Sequence, residues 1–351
     1  MIFVLVLAGM LWGLGHLMKT PYRARFVMLG VLYLAVVAVQ FLLPLAHPLR
    51  QATGGSLGEW LFVGLLAGVV LAYRAGLNTL RARAGREAAA VPFAAPQGPF
   101  SDEELERYAR HITLREIGGA GQRALKEARV LVVGAGGLGA PVLLYLAAAG
   151  VGRIGVIDAD VVSLSNLQRQ VIHTDARQGM PKVFSAEISI KAINPHVELR
   201  PYHRMLTEEI AEALFAEYDL ILDGTDSFAV RAMINRAAVA TGRPVVAGAI
   251  SAWEGQVTIY DPARGAPCMA CIFPKAPAPG LSATCAETGV VGALPGVIGA
   301  MMAMEAVKRI TGAGQGLAGR MLIHDALMGE SREIKLARRG DCPVCGEVQG
   351  D

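Results

Sequence analysis

Arg129-Val-Leu-Val-Val133 runs directly into Gly134-Ala-Gly136-Gly-Leu-Gly139, and that into an Ala/Leu-rich stretch ending at Ala149. This order decides the fold. A short β-branched strand feeds a glycine turn, and the turn opens a helix. Arg153–Asp158 supplies the next strand, with an acid about 20 residues beyond the first glycine, where a ribose-binding carboxylate belongs. Glycines let backbone approach phosphate, and the helix N-terminus adds N–H donors and a positive dipole. The pattern predicts a nucleotide-binding βαβ unit. By itself it does not distinguish hydride transfer from adenylation.

Outward from this unit the alternation continues. Lys182–Asn194 and Thr207–Glu217 read as helices. Val197–Tyr202, Leu220–Asp223, Val245–Ile250 and Gln256–Tyr260 read as strands. Upstream, Ser101-Asp-Glu-Glu104 fits a capping box that opens a helix through Ile112. The expected fold is α/β, a doubly wound, mainly parallel sheet with a Rossmann-like nucleotide-binding half. Residues 289–304 are uncharged and raise the question of a membrane span. Pro295, three interspersed glycines and the Glu305, Lys308 and Arg309 that follow favour a turn and a buried helix over Gly296–Thr311.

The first 98 residues differ in kind. They hold eight Lys/Arg against two Glu, a balance of +6. The remainder holds 25 basic and 28 acidic side chains, or −3, and the two halves sum to an unremarkable +3. Over the whole chain 53% of residues are hydrophobic and only 18% charged, below the roughly 25% charge of a soluble chain. Three apolar runs, at about 1–18, 26–46 and 57–73, predict a transmembrane region over 1–77, with a linker over 78–98 and a body over 99–351. Lys19, Arg23 and Arg25 lie in the first loop, and Arg74, Arg81, Arg83 and Arg86 follow the third run. The positive-inside rule then puts the body in the cytoplasm, on a multi-pass anchor in the inner (cytoplasmic) membrane, with the N-terminus outside. A signal peptide fits poorly, because no charge precedes the first run. A buried helical hairpin of a soluble protein would leave the alternating loop charge unexplained. The body lacks the basic footprint of a nucleic-acid binder.

Cys268-x-x-Cys271 and Cys342-x-x-Cys345 are two knuckles whose thiolates can meet at one tetrahedral centre, a structural zinc site with no open position for catalysis. Disulfides are the alternative, and a cytosolic body argues against them. Cys285 is the odd cysteine, either a spare thiol or a nucleophile for thioester or persulfide chemistry.

Arg107–Ile112, Gly118–Gln122, Gly134–Gly139, Asp158-Ala-Asp160, Ser165–Gln170, Pro181-Lys182, Asp223-Gly-Thr-Asp226, Gly255-Gln256 and the two knuckles occur in this order along residues 99–351. Together they resemble the ubiquitin-activating-enzyme-like adenylyltransferases, the molybdopterin-synthase and thiamine-pathway sulfur-carrier group. The resemblance implies that ATP activates the C-terminal Gly-Gly carboxylate of a ubiquitin-like sulfur carrier, giving an acyl-adenylate and pyrophosphate. The expected carrier is the small subunit of molybdopterin synthase, with the thiamine-pathway carrier next. It further implies that Gly134, Gly136, Gly137 and Gly139 form the nucleotide turn, and that Asp158, with Asp160 beside it, serves the ribose. Asn166, Arg169 and Lys182 would meet phosphates, Asp226 would hold Mg²⁺, and Arg110 would reach into the partner's site in a homodimer. Gln168 and Gln170 read as shaping the loop. Cys285 matches a loop cysteine that only some relatives use in sulfur transfer. With no rhodanese-like domain fused after residue 351, sulfur would come from a separate donor protein. An ionised carboxylate needs no general base, so catalysis would rest on positioning and charge neutralisation by Arg110, Arg169 and Lys182. An NAD-dependent oxidoreductase and a non-catalytic membrane scaffold for a ubiquitin-like protein are the competing classes. Neither accounts for all the motifs.

Overall fold

The computed structural model describes residues 2–90, 98–276 and 289–347. Cys285 lies outside the described residues. The chain forms two compact units, residues 1–95 and 96–351.

The first unit is helical: α1 (Ile2–Leu17), α2 (Tyr22–Leu42), α3 (Pro48–Thr53) and α4 (Leu57–Ala90). Ala24–Leu42 and Leu57–Leu77 are long and apolar enough to cross a membrane, whereas α1 has only 16 residues. Inside the unit only 17% and 6% of those two stretches is buried. The small interior is Val4, Val36 and Trp60. Tyr33 donates to the Trp60 carbonyl at 2.9 Å and the Gln40 amide nitrogen to Thr53 Oγ1 at 2.8 Å, while the buried Gln40 Oε1 has no donor among the described residues. The Arg25 guanidinium lies 4.9 Å from the Tyr22 ring centre.

The second unit is an eight-stranded sheet. Its strands are β1 (Arg129–Val133), β2 (Arg153–Ile157), β3 (Glu198–Tyr202), β4 (Leu220–Asp223), β5 (Val245–Ile250), β6 (Glu254–Tyr260), β7 (Arg320–Asp325) and β8 (Glu330–Lys335). Their order is β3-β2-β1-β4-β5-β6-β7-β8. The first five strands are parallel and the last three pairings antiparallel, which gives the mixed, Rossmann-like sheet. The helices are α5 (Asp102–Ile112), α6 (Gly118–Glu127), α7 (Gly139–Ala149), α8 (Lys182–Ile193), α9 (Glu208–Ala216), α10 (Phe228–Thr241), α11 (Met269–Ile272) and α12 (Leu294–Thr311). Both predicted halves of the Ser101/Glu104 capping box are present on α5.

The strand alternation explains why the sheet is wound on both faces. Val130 and Val132 of β1 enter one core with Leu143 of α7, Ile190 of α8 and Ile298 of α12. Leu131 and Val133 enter the other, with Phe215 of α9 and Ile234 of α10. Strands buried on both sides read as continuous apolar runs. The uncharged stretch 289–304 is settled by α12: Leu294, Ile298, Met302 and Ala306 recur every four residues and are all buried in the body's core. It is not a membrane span. The β7–β8 hairpin and helices α6 and α10 were not anticipated. β8 is exposed along its whole length, and its Glu330, Arg332, Glu333 and Lys335 guard a free sheet edge.

Candidate active site

Because β2 and β3 lie on one side of β1 while β4 and β5 lie on the other, the strand order reverses between the parallel strands β1 and β4. A crevice opens beyond the carboxyl ends of strands at such a point. The loops after β1, β2 and β4 and the start of α8 all line a cavity of about 690 Å³ there.

The glycine turn is built from the inside. Gly134 has φ +92°, a conformation that side chains rarely adopt, and its N–H reaches the Ile157 carbonyl at 2.9 Å. A Cβ on Gly139 would sit 1.9 Å from the Gly134 carbonyl oxygen. Gly139 therefore allows α7 to begin against the turn, and it does not itself line the cavity. Gly134, Gly136 and Gly137 do. Among the described residues neither the Gly136 nor the Gly137 N–H meets an acceptor. Two adjacent free donors at a helix start form a seat for an anion.

Asp158 closes the turn from β2. Its carboxylate accepts from the Ala135 N–H at 2.8 Å and from the Asp160 N–H at 2.8 Å, leaving lone pairs on both oxygens for hydroxyl donors. Asp160 also takes Lys182 Nζ at 2.8 Å. The pair is lopsided: the lysine side chain is 5% exposed and the aspartate 71%. Arg169 donates to the Ser165 carbonyl at 3.1 Å, which folds it back over the loop that carries Asn166. Lys182, Arg169 and Asn166 all line the cavity. Gln170 lines it too, and its buried Oε1 has no donor among the described residues.

The opposite wall comes from β4. Asp223 is buried and accepts from the Thr225 N–H and hydroxyl at 3.0 and 2.7 Å. Burial pushes its carboxyl up from the usual range, against the pull of the nearby Arg231. Asp226 stands exposed at the cavity wall. Arg231, on the first turns of α10, donates to the Thr225 carbonyl and to the Gly248 carbonyl, so it ties the β4 loop to β5. Arg231 and Arg204 line the cavity and were missed. Neither sits in a motif, and only the winding of the sheet brings them in. Arg110 lies exposed on α5 and is not part of the cavity wall.

The four paired cysteines do converge. All four are buried and their sulfurs lie within 4.8 Å of one another, with Sγ separations of 3.9 Å (Cys268–Cys271), 3.7 Å (Cys268–Cys342) and 3.5 Å (Cys271–Cys345). Metal–sulfur bonds of about 2.3 Å in a tetrahedron give edges of about 3.8 Å. The spacing fits one metal ion and is far beyond a disulfide bond. Asn235 on α10 accepts from the Met269 N–H at 2.8 Å and fastens the first knuckle to the body.

Fold and crevice together define a nucleotide-binding α/β enzyme. The chain belongs to the ThiF family, whose model matches residues 108–344. It is 46% identical over 252 residues to a Thermus thermophilus protein named sulfur carrier protein adenylyltransferase, covering 71% of this chain and 93% of that one. It is 47% identical over 260 residues to a Mycobacterium tuberculosis protein named probable adenylyltransferase/sulfurtransferase MoeZ, covering 73% and 66%. With an Anopheles gambiae adenylyltransferase and sulfurtransferase MOCS3 the identity is 46%, and the chain spans only 56% of that relative. Among solved structures, E. coli MccB superposes with a TM-score of 0.62 at 21% identity, over 69% of this chain and 75% of that one. PaaA superposes with a TM-score of 0.60 at 24% identity, over 75% and 83%. These two share the fold. The protein is an enzyme of the adenylyltransferase class.

Proposed function

We propose that the body uses ATP to adenylate the C-terminal Gly-Gly carboxylate of a ubiquitin-like sulfur carrier of the molybdopterin-synthase small-subunit type. The observation that carries this reading is the convergence on one crevice of the Gly136/Gly137 turn, Asn166, Arg169, Lys182 and Asp226. A carboxylate oxygen of the carrier attacks the α-phosphorus, the bond to the bridging oxygen breaks, and pyrophosphate leaves. No proton moves, so the site needs no general base. Its work is alignment and neutralisation of charge that builds on the phosphates. Arg169 and Lys182 supply fixed positive charge, and the turn N–H groups supply dipoles. Asp158 accepts from the ribose. The exposed Asp226 would hold a Mg²⁺ ion from this wall, which would supply neutralisation of pyrophosphate charge. The four cysteines hold structural Zn²⁺. In a homodimer, Arg110 serves the partner's crevice.

The test is ATP–pyrophosphate exchange against a panel of carriers ending in Gly-Gly. Exchange dependent on the molybdopterin-type carrier supports the reading. Exchange only with a thiamine-pathway carrier would change the substrate, and none with any carrier would end the proposal.

Residues 1–77 form a membrane anchor in this reading, with the body in the cytoplasm. Its support is the apolar length of α2 and α4 and the basic loops flanking them. The chain should stay in the membrane fraction after carbonate extraction and leave it in detergent. Release by carbonate alone would refute the anchor.

A further inference from the structure

His173 is buried directly behind the glycine turn, 5% exposed, in a position the chemistry above does not use. Its Nε2 lies 3.0 Å from the Ala135 carbonyl and its Nδ1 2.9 Å from Ser185 Oγ on α8. A carbonyl only accepts, so Nε2 carries the proton and Nδ1 takes the serine hydroxyl's hydrogen. Burial holds the imidazole's pKa below its ordinary value, which keeps this neutral tautomer. The charged groups that act on it are Lys182 and Arg177, which oppose its protonation, and Asp158, which favours it.

The Ala135 carbonyl and the Gly136 N–H belong to one planar trans peptide and point in opposite directions. By drawing the carbonyl inward, His173 aims the Gly136 N–H out into the cavity. Asp158 holds the preceding peptide through the Ala135 N–H. We propose that His173 is a positioning residue for phosphate binding, and that with Asp158 it clamps both sides of Ala135 so that the Gly136 donor is oriented before nucleotide arrives. This rests on the nucleotide reading of the cavity.

The experiment compares the full chain in detergent with its His173→Phe and His173→Gln variants. Phe keeps a planar ring and removes the donor. Gln restores an N–H donor near the position of Nε2. Hydrogen exchange of the peptide spanning Leu131–Gly139 is measured without nucleotide, and ATP affinity by calorimetry. H173F should exchange there at least about fivefold faster and bind ATP about tenfold more weakly, the scale of one lost hydrogen bond. H173Q should stay within about twofold of the parent in both. Should H173F not fold, Ser185→Ala releases the ring from its other side and makes the same comparison. Unchanged exchange in H173F, or H173Q as impaired as H173F, would overturn the clamp. A parent chain that shows the exchange pattern but binds no ATP would leave the clamp standing and refute the nucleotide reading.

Discussion

Gly139→Ala is the sharpest perturbation the site offers. The added methyl would lie 1.9 Å from the Gly134 carbonyl oxygen and 2.9 Å from its carbon. Roughly 1 Å of movement is needed before the contact becomes tolerable. The obstacle is backbone, and it is pinned: the Gly134 N–H is bonded to Ile157 and the next N–H to Asp158. The turn must therefore shift relative to α7. A shift of that size stretches hydrogen bonds of about 2.9 Å beyond their useful range. Losing two charge-assisted bonds to phosphate, at about 1.5 kcal/mol or more each, weakens the transition state by about 3 kcal/mol, or roughly 100-fold. Overpacking costs a further ~1–3 kcal/mol of stability. The assay is carrier-dependent ATP–pyrophosphate exchange, with a melting curve on the same sample. Gly119→Ala is the control, because a Cβ there meets nothing within 4 Å on helix α6. Exchange in G139A within threefold of the parent would show that the turn does not need its observed geometry to bind phosphate.

Arg169→Ala and Asp226→Ala should each reduce exchange by at least about 100-fold with melting temperatures close to the parent, since among the described residues each side chain makes at most one bond. Substantial exchange in either variant removes that residue from the proposed machinery. Cys345→Ser should lose the one zinc per chain measured by atomic emission and melt earlier, and a variant that kept full metal content would show the four sulfurs do not act together. Acid should destabilise the body through His173. Its folded pKa is depressed by burial, so the contribution is whole above the unfolded value of about 6.5 and is lost as pH falls toward the folded pKa. H173Q should flatten that limb of a melting-temperature profile, and an unchanged limb would assign it to other groups.

What the sequence disclosed depended on whether the information was local. β1, β2, β4 and β5 were legible because strands buried on both faces are unbroken apolar runs, and the glycine turn because its constraints fall within six residues. β8 was not, because its Glu-Ser-Arg-Glu-Ile-Lys pattern is that of an edge whose only structural instruction is its register with β7. α12 could be read two ways as an apolar run, and its punctuation by glycine and proline pointed to the buried helix. In the site, Asp158 was marked by its spacing from the glycine turn, and Asp226 only by the family resemblance. Arg231 and His173 act through carbonyls far along the chain, at Gly248 and Ala135. No short-range pattern encodes those contacts.

The first knuckle does two jobs, since Met269 and Phe273, beside the sulfurs Cys268 and Cys271, also line the cavity. Its partner sulfur Cys342 follows Cys268 by 74 residues. At a synthesis rate of roughly 5–20 residues per second the interval is about 4–15 s. During it the ribosome holds a body whose nucleotide wall has its residues but not its clasp. A metal held by these four sulfurs would tie completion of the pocket to synthesis of the second knuckle, and its supply at the ribosome would become a condition for a finished site.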